Sequence, residues 1–306
     1  MAAAGAVFAL TGWLPALILA ALTGTISTDV VESGPFTSLE QAMLPHTGAH
    51  TTRLFGTYNT IATLAGSLGA LLALAGSSPH WLLAYPLAAT AGLATTLGLT
   101  PAVEQGSELA AKGRPTLQRS RGIVLRLSGL FALDSFGGGF VPQTFIAYLF
   151  TRKYGASPHA LALVFFAIGI LQAFSFQAAV RLAERFGLLR TMVFTHLPSN
   201  LLLAAVAFVP NLTSAIAFLL ARFALSQMDV PTRQAYVVGV VDPSERTAAA
   251  AYTNTARYLT RPVAPLLAGP AATLALGAPF VIAGALKSLY DLGLYSLFRR
   301  VPIDEN

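Results

Sequence analysis

The chain has 306 residues, of which 10% are charged and 55% hydrophobic, with 19 basic side chains against 13 acidic ones and a mean hydropathy of +0.64. A soluble domain carries about 25% charged residues, so these few charges cannot coat a water-facing surface; a disordered chain is excluded and a soluble enzyme is disfavoured. Cys is absent, which excludes disulfides and thiolate metal sites. In chain order, apolar segments suited to spanning run 13–45, 54–76, 81–100, 123–150, 160–180, 188–209, 212–241, 247–274 and 277–298. A bilayer core needs about 20 mostly apolar residues per helix, and strict two-residue alternation, the mark of a membrane β-barrel, is missing. The piece 2–11 is too short to span. The segment 13–45 is too long for one straight helix, and Gly34-Pro35 is expected to break it, as Pro231 is expected to kink 212–241. Residues 1–26 lack the basic start of a signal peptide and read as membrane structure.

Lys and Arg are distributed unevenly between alternate loops. Thirteen lie on one side, among them Arg53, Lys112, Arg114, Arg185, Arg190, Arg233 and Arg246, against Arg152 and Lys153 on the other. The first side is therefore expected in the cytoplasm. The polar stretch 103–122, with Gly113 and Pro115, reads as a cytoplasmic linker between an N-terminal bundle (1–102) and a C-terminal six-helix bundle (123–306).

The two sides of the linker are similar in sequence. Gln41 aligns with Gln234, Arg53 with Arg246, Tyr58-Asn59-Thr60 with Tyr252-Thr253-Asn254-Thr255, and Leu71-Leu72-Ala73 with Leu266-Leu267-Ala268, at an offset of 193–195. Further upstream the alignment sets Met1 against about Asn200, inside a span. The counterpart of about 80 residues of the second half is thus expected to be missing, leaving about ten helices of an expected twelve.

Two helical bundles, a basic linker and this repeat resemble the major facilitator superfamily of secondary transporters, in its bacterial form. Leu182-Ala183-Glu184-Arg185-Phe186-Gly187-Leu188-Leu189-Arg190 is similar to the family's cytoplasmic loop signature, and Arg222 to Ala235, followed by Asp242 to Arg246, is similar to its tenth helix and the loop after it. The resemblance implies an all-α polytopic protein with two pseudo-symmetric bundles, lacking helices 1, 2 and part of 3. It implies multi-pass insertion in the plasma (bacterial inner) membrane, and transport of a small solute by alternating access, driven by the solute's own gradient or by protons. A transport-incompetent fragment of such a carrier is the main alternative; a polytopic membrane enzyme is the weaker one, since no nucleophile–base set is present.

An ionised group inside a bilayer is costly and is a functional candidate by default. Transport-path candidates are Asp29, Glu32, Asp134, Gln143, Arg222, Gln227, Arg257 and Arg261. Asp29 and Glu32 flank the Gly34-Pro35 break. Asp134 precedes Gly137-Gly138-Gly139, which is expected to loosen its helix, and Gln143 is read as a polar contact on that same helix. Arg257 and Arg261, four apart, share a face and need anions nearby; a contact between Asp134 and Arg257 is expected, while Lys287 and Asp291 are read as pairing with each other. Phe131, Phe136, Phe140 and Phe145 either line an apolar cavity or face lipid. Glu184, Arg185, Arg190, Asp229, Arg233, Glu245 and Arg246 are read as a cytoplasmic gate set, or else as a solvated basic loop. His46 and His50, four apart, lack a third ligand, so no metal is expected. No cofactor is expected, nor nucleic acid; the expected partners are a small solute, lipid and protons, with a slight lean to an anionic or zwitterionic solute.

Overall fold

A computed structural model describes residues 2–23, 51–75, 79–98 and 117–301. Among them the secondary structure is helical: α1 (Ala2–Leu10), α2 (Leu14–Leu22), α3 (Thr51–Ala70), α4 (Ala84–Thr96), α5 (Arg121–Gly139), α6 (Gln143–Tyr154), α7 (Pro158–Phe186), α8 (Leu188–Ala205), α9 (Leu212–Ser226), α10 (Asp229–Gly239), α11 (Arg246–Thr260), α12 (Ala264–Leu274) and α13 (Ala278–Phe298). The expected break at Gly34-Pro35, with Asp29 and Glu32, and the pair His46 and His50 lie outside the described residues.

Local chemistry sets many of the boundaries. Ser157 accepts a hydrogen bond from the Ala160 N–H at 3.1 Å and Pro158 takes the first helical position of α7. Asn211 caps α9 in the same way through the Ser214 N–H, at 2.9 Å. Gly155 ends α6 in the left-handed region, φ +68°, so that the Gly155 and Ala156 N–H groups close back onto Thr151 and Phe150 carbonyls.

Three of the expected spans are interrupted. The helix from Arg121 stops at Gly139, and Pro142 opens α6. The span 212–241 breaks at Gln227-Met228, ahead of Pro231, which sits harmlessly in the first turn of α10 where no intrahelical N–H is needed. The third bends at Arg261–Val263, a 3-10 turn around Pro262. Among the described residues, the stretches Arg121–Tyr154, Pro158–Phe186 and Ala278–Phe298 are long and apolar enough to cross a membrane by themselves. Large apolar side chains face outward, Leu274 being 88% exposed, as lipid contact requires. The chain is an integral, multi-pass membrane protein.

At Gly137-Gly138-Gly139 the helix does give way: α5 ends there, and the Phe140 and Val141 N–H groups turn back onto the Gly137 and Gly138 carbonyls. A side chain at Gly137 would press on Lys287 and Leu286, and one at Gly139 on the Arg261 carbonyl and Ala264. These glycines let α5 approach α13 and the α11–α12 bend closely enough for charged groups on all three to meet.

The two halves join along α3 and α7, where Gly169 faces Ser67 and the Ser67 hydroxyl donates to the Phe166 carbonyl at 2.9 Å. Helix α10 also lies against α3, and there the Asn59 amide donates to Gln234 Oε1 at 2.9 Å, fully buried. The C-terminal core is built from α5, α8, α10, α11 and α13, around Phe131, Met192, Tyr236 and Tyr290.

Candidate functional site

Asp134, on α5, is 3% exposed and is the centre of a charged constellation. Lys287 Nζ on α13 lies 2.5 Å from Oδ1, Arg257 Nη1 on α11 lies 3.1 Å from Oδ2, and Arg233 Nη1 on α10 lies 3.7 Å from Oδ2. Arg233 also pairs with Asp229 one turn earlier on α10, at 2.9 Å. A carboxylate here must be compensated, because several kcal/mol would otherwise be lost to desolvation; three fixed cations supply that compensation. The Ser135 hydroxyl donates to the Arg257 carbonyl at 3.0 Å and holds α11 against α5.

One turn from Lys287, Asp291 has a different setting. It is 1% exposed. His196 Nδ1 on α8 lies 2.9 and 3.1 Å from its two oxygens, and Asn200 Nδ2 donates to Oδ2 at 2.8 Å. Nε2 of the same imidazole is 3.9 Å from Asp134 Oδ1, so His196 stands between the two carboxylates.

The guanidinium groups of this core border a cavity of about 190 Å³, lined by Phe55 from α3, Phe131 from α5, Arg233 and Gln234 from α10, and Arg246, Asn254 and Arg257 from α11. It lies at the junction of the halves, toward the end that bears the basic loops. Arg246 is half-buried, and its Nε donates to the Val238 carbonyl at 3.2 Å; among the described residues it forms no ion pair with a carboxylate.

The expected Asp134–Arg257 contact is present. Lys287 and Asp291 do not pair with each other, because each is drawn across the bundle to a closer partner on another helix. Gln143 is not on the helix of Asp134: the turn at Phe140–Pro142 places it, exposed, at the start of α6. Arg222 is half-buried, its guanidinium 4.2 Å from the Phe223 ring centroid, and Gln227 closes α9. Arg261 lies in the bend after α11 and is less buried than Arg257. Phe131 borders the cavity, whereas Phe136, Phe140 and Phe145 pack in a second apolar cluster with Ile146, Leu203 and Phe280.

The gate set is dispersed. Arg233 and Asp229 belong to the buried core, because α10 continues to Gly239 and carries them inward. Glu184 reaches across to Arg53 of the other half, at 2.9 Å, with both side chains largely exposed. Arg185 stacks on Phe186 and Arg190 is exposed. Glu245 instead receives the backbone N–H groups of Gln118, Arg119 and Ser120 at 2.6, 2.9 and 2.8 Å, at the foot of α5. Those donors, Gln118 foremost, hold its carboxyl down at about 2. Asp242 alongside is also lowered, chiefly by the Ser244 hydroxyl and N–H.

His196, Asn200 and the Asn59–Gln234 contact are additions from the structure. The first two were detectable as a His and an amide four residues apart, hence on one face, within an apolar span.

No family model matches the chain. It is 24% identical to an uncharacterized membrane protein of Saccharomyces cerevisiae, YJR124C, over 97% of this chain and 77% of that protein. Its structure is similar to the crystal structure of the human organic anion transporter MFSD10 (TETRAN), with a TM-score of 0.71 and 19% identity, covering 96% of this chain and 74% of that one. The fold is that of the major facilitator transporters: an all-α, polytopic membrane architecture.

Proposed function

We propose that this protein is a secondary carrier that moves a small anionic organic solute by exposing the Arg233–Arg246–Arg257 cavity alternately to the two sides of the membrane. The observation that carries this reading is Arg246, a cavity-lining guanidinium with no carboxylate partner among the described residues. An Arg retains its charge and offers a planar fork suited to a carboxylate. The apolar wall formed by Phe55 and Phe131 suits an organic body attached to that charge. The likeness to a human organic anion transporter points the same way.

On this reading the units that rock are residues 1–102 and 123–306, joined by 103–122, in the plasma membrane with the basic loops inside. The exposed Arg53–Glu184 pair and the buried Asn59–Gln234 bond tie the halves together on the cavity side, and both must part for the cavity to open there. Asp134 acts as the anchor that orients Arg257 and Arg233. The test is counterflow of radiolabelled p-aminohippurate, an aromatic carboxylate, in proteoliposomes holding the full chain. Uptake should exceed that of empty vesicles and fall at least about tenfold in Arg246→Ala, the loss expected of a charge-assisted contact. Equal uptake by the variant and the parent would refute the assignment of the cavity.

A further inference from the structure

Asp291 and His196 serve no part of the solute site just described. They do not line the cavity, yet they are among the most deeply buried polar groups of the C-terminal bundle. The groups that face them are Tyr290 and Lys287 from α13, Asp134 from α5, Asp229 and Arg233 from α10, and Arg257 from α11. Among the described residues, no ion pair joins α7 or α9 to either member. All the fixed cations in that set are engaged with Asp134 or Asp229. The partners of Asp291 itself are an imidazole and an amide.

A buried carboxylate whose neighbour can itself gain or lose a proton is not locked in one state. One proton can sit on His196 Nδ1 and be donated to Asp291, or sit on Asp291 and be donated to Nδ1. The surroundings serve both arrangements. Asn200 Nδ2 donates to the ionised carboxylate, while Asn200 Oδ1 is buried without a hydrogen-bond partner. Rotating that amide by half a turn would offer Oδ1 to a protonated Asp291, and the two amide orientations are of similar shape.

We infer that the Asp291–His196–Asn200 cluster is the proton-carrying site of this protein, separate from its solute cavity; the inference rests on the carrier reading above. A proton taken from water on one side, forming an N–H or O–H bond in the cluster, adds one positive charge, and a bound monoanion cancels it. A proton on Nε2 faces Asp134 Oδ1 at 3.9 Å, the oxygen that Lys287 contacts, and so places a positive charge beside the carboxylate that holds Arg257 and Arg233 through Oδ2. Release reverses each step, and the proton leaves to water on the opposite side.

Two measurements test this. The first is histidine ¹⁵N NMR of the full chain in detergent, with His196→Gln identifying the resonance. The His196 ring shifts should move with pH as the cluster takes up its proton, and Asp291→Asn should displace that pH dependence by about one unit or more, as removal of an adjacent charge does. Ring shifts that stay constant over the pH range of the folded protein, or a pH dependence unmoved in Asp291→Asn, overturn the inference. The second is p-aminohippurate accumulation in proteoliposomes under an acid-outside gradient of about one pH unit. One-to-one coupling drives accumulation of up to about tenfold. Both Asp291→Asn and His196→Gln should abolish that gradient-driven excess, and accumulation at the parental level in either variant contradicts it. Absence of counterflow in the parent would refute the carrier reading instead, and the NMR titration then decides the proton site alone.

Discussion

Asp134 and Asp291 are both aspartates buried inside the same bundle, on helices packed side by side, and they are compensated in opposite ways. Asp134 is ringed by the ammonium group of Lys287 and the guanidinium groups of Arg257 and Arg233, contributed by three different helices. Asp291 is held by His196 and Asn200, one titratable and one neutral. The first arrangement fixes the geometry of three helices around an anion; the second leaves a charge that can be switched. Burial alone thus says little about a carboxylate's role inside a membrane, and the identity of its partners says much more.

The sharpest way to break this contrast is Asp134→Asn. It removes the carboxylate that Lys287 and Arg257 contact, leaving Arg233 to Asp229, and should cost about 3–5 kcal/mol of stability, read from thermal or denaturant unfolding in detergent. Arg257→Ala should lose less in an Asp134→Ala background than alone; simple additivity of the two losses would mean that the 3.1 Å contact carries no energy. A neutral contact comes next. Asn59→Leu leaves the buried Gln234 Oε1 without its donor and should cost about 1–3 kcal/mol, together with increased labelling of introduced cysteines along α3 and α10. An unchanged melt would show that the halves do not depend on this bond.

Asp291→Asn should move stability by no more than about 1 kcal/mol, because an amide keeps a hydrogen bond and removes a charge that no fixed cation matches. A loss equal to that of Asp134→Asn would erase the distinction. The smallest effect belongs to Glu245, outside the membrane, where backbone N–H groups do the compensating. Its folded-state value of about 2 lies below the ordinary 4.5. The stability it contributes is therefore present above pH 4.5 and fades as pH falls toward 2. Melting curves of Glu245→Gln and the parent should differ at neutral pH and converge in acid; a constant gap would contradict the capping role.

Much of this is legible in sequence, and the reasons are specific. Long apolar runs and Pro or Gly punctuation locate the helices, and the rule that a buried charge needs an opposite one leads from Asp134 to Arg257. The same rule misassigns Lys287 and Asp291, because spacing along one helix reveals only partners on that helix, whereas packing supplies nearer ones from α5 and α8. Arg233 reads as a loop residue since depth depends on where a broken span resumes, and the break falls at Gln227-Met228 rather than at Pro231. The triple glycine reads as a weak point and α5 does end there, but a sequence does not display the Lys287 and Arg261 groups that crowd against it. His196 is missed when histidines are weighed only as metal ligands, since its carboxylate partner lies 95 residues away.

At the centre of this picture, one buried aspartate of the bundle can take up a proton and the other cannot. Infrared difference spectroscopy of the purified full chain, between neutral and acidic pH, tests that contrast directly through the carbonyl stretch of a carboxylic acid in a dry site. One such band is expected on acidification, lost in Asp291→Asn. A band that survives in Asp291→Asn, or its absence from the parent protein, would contradict the contrast.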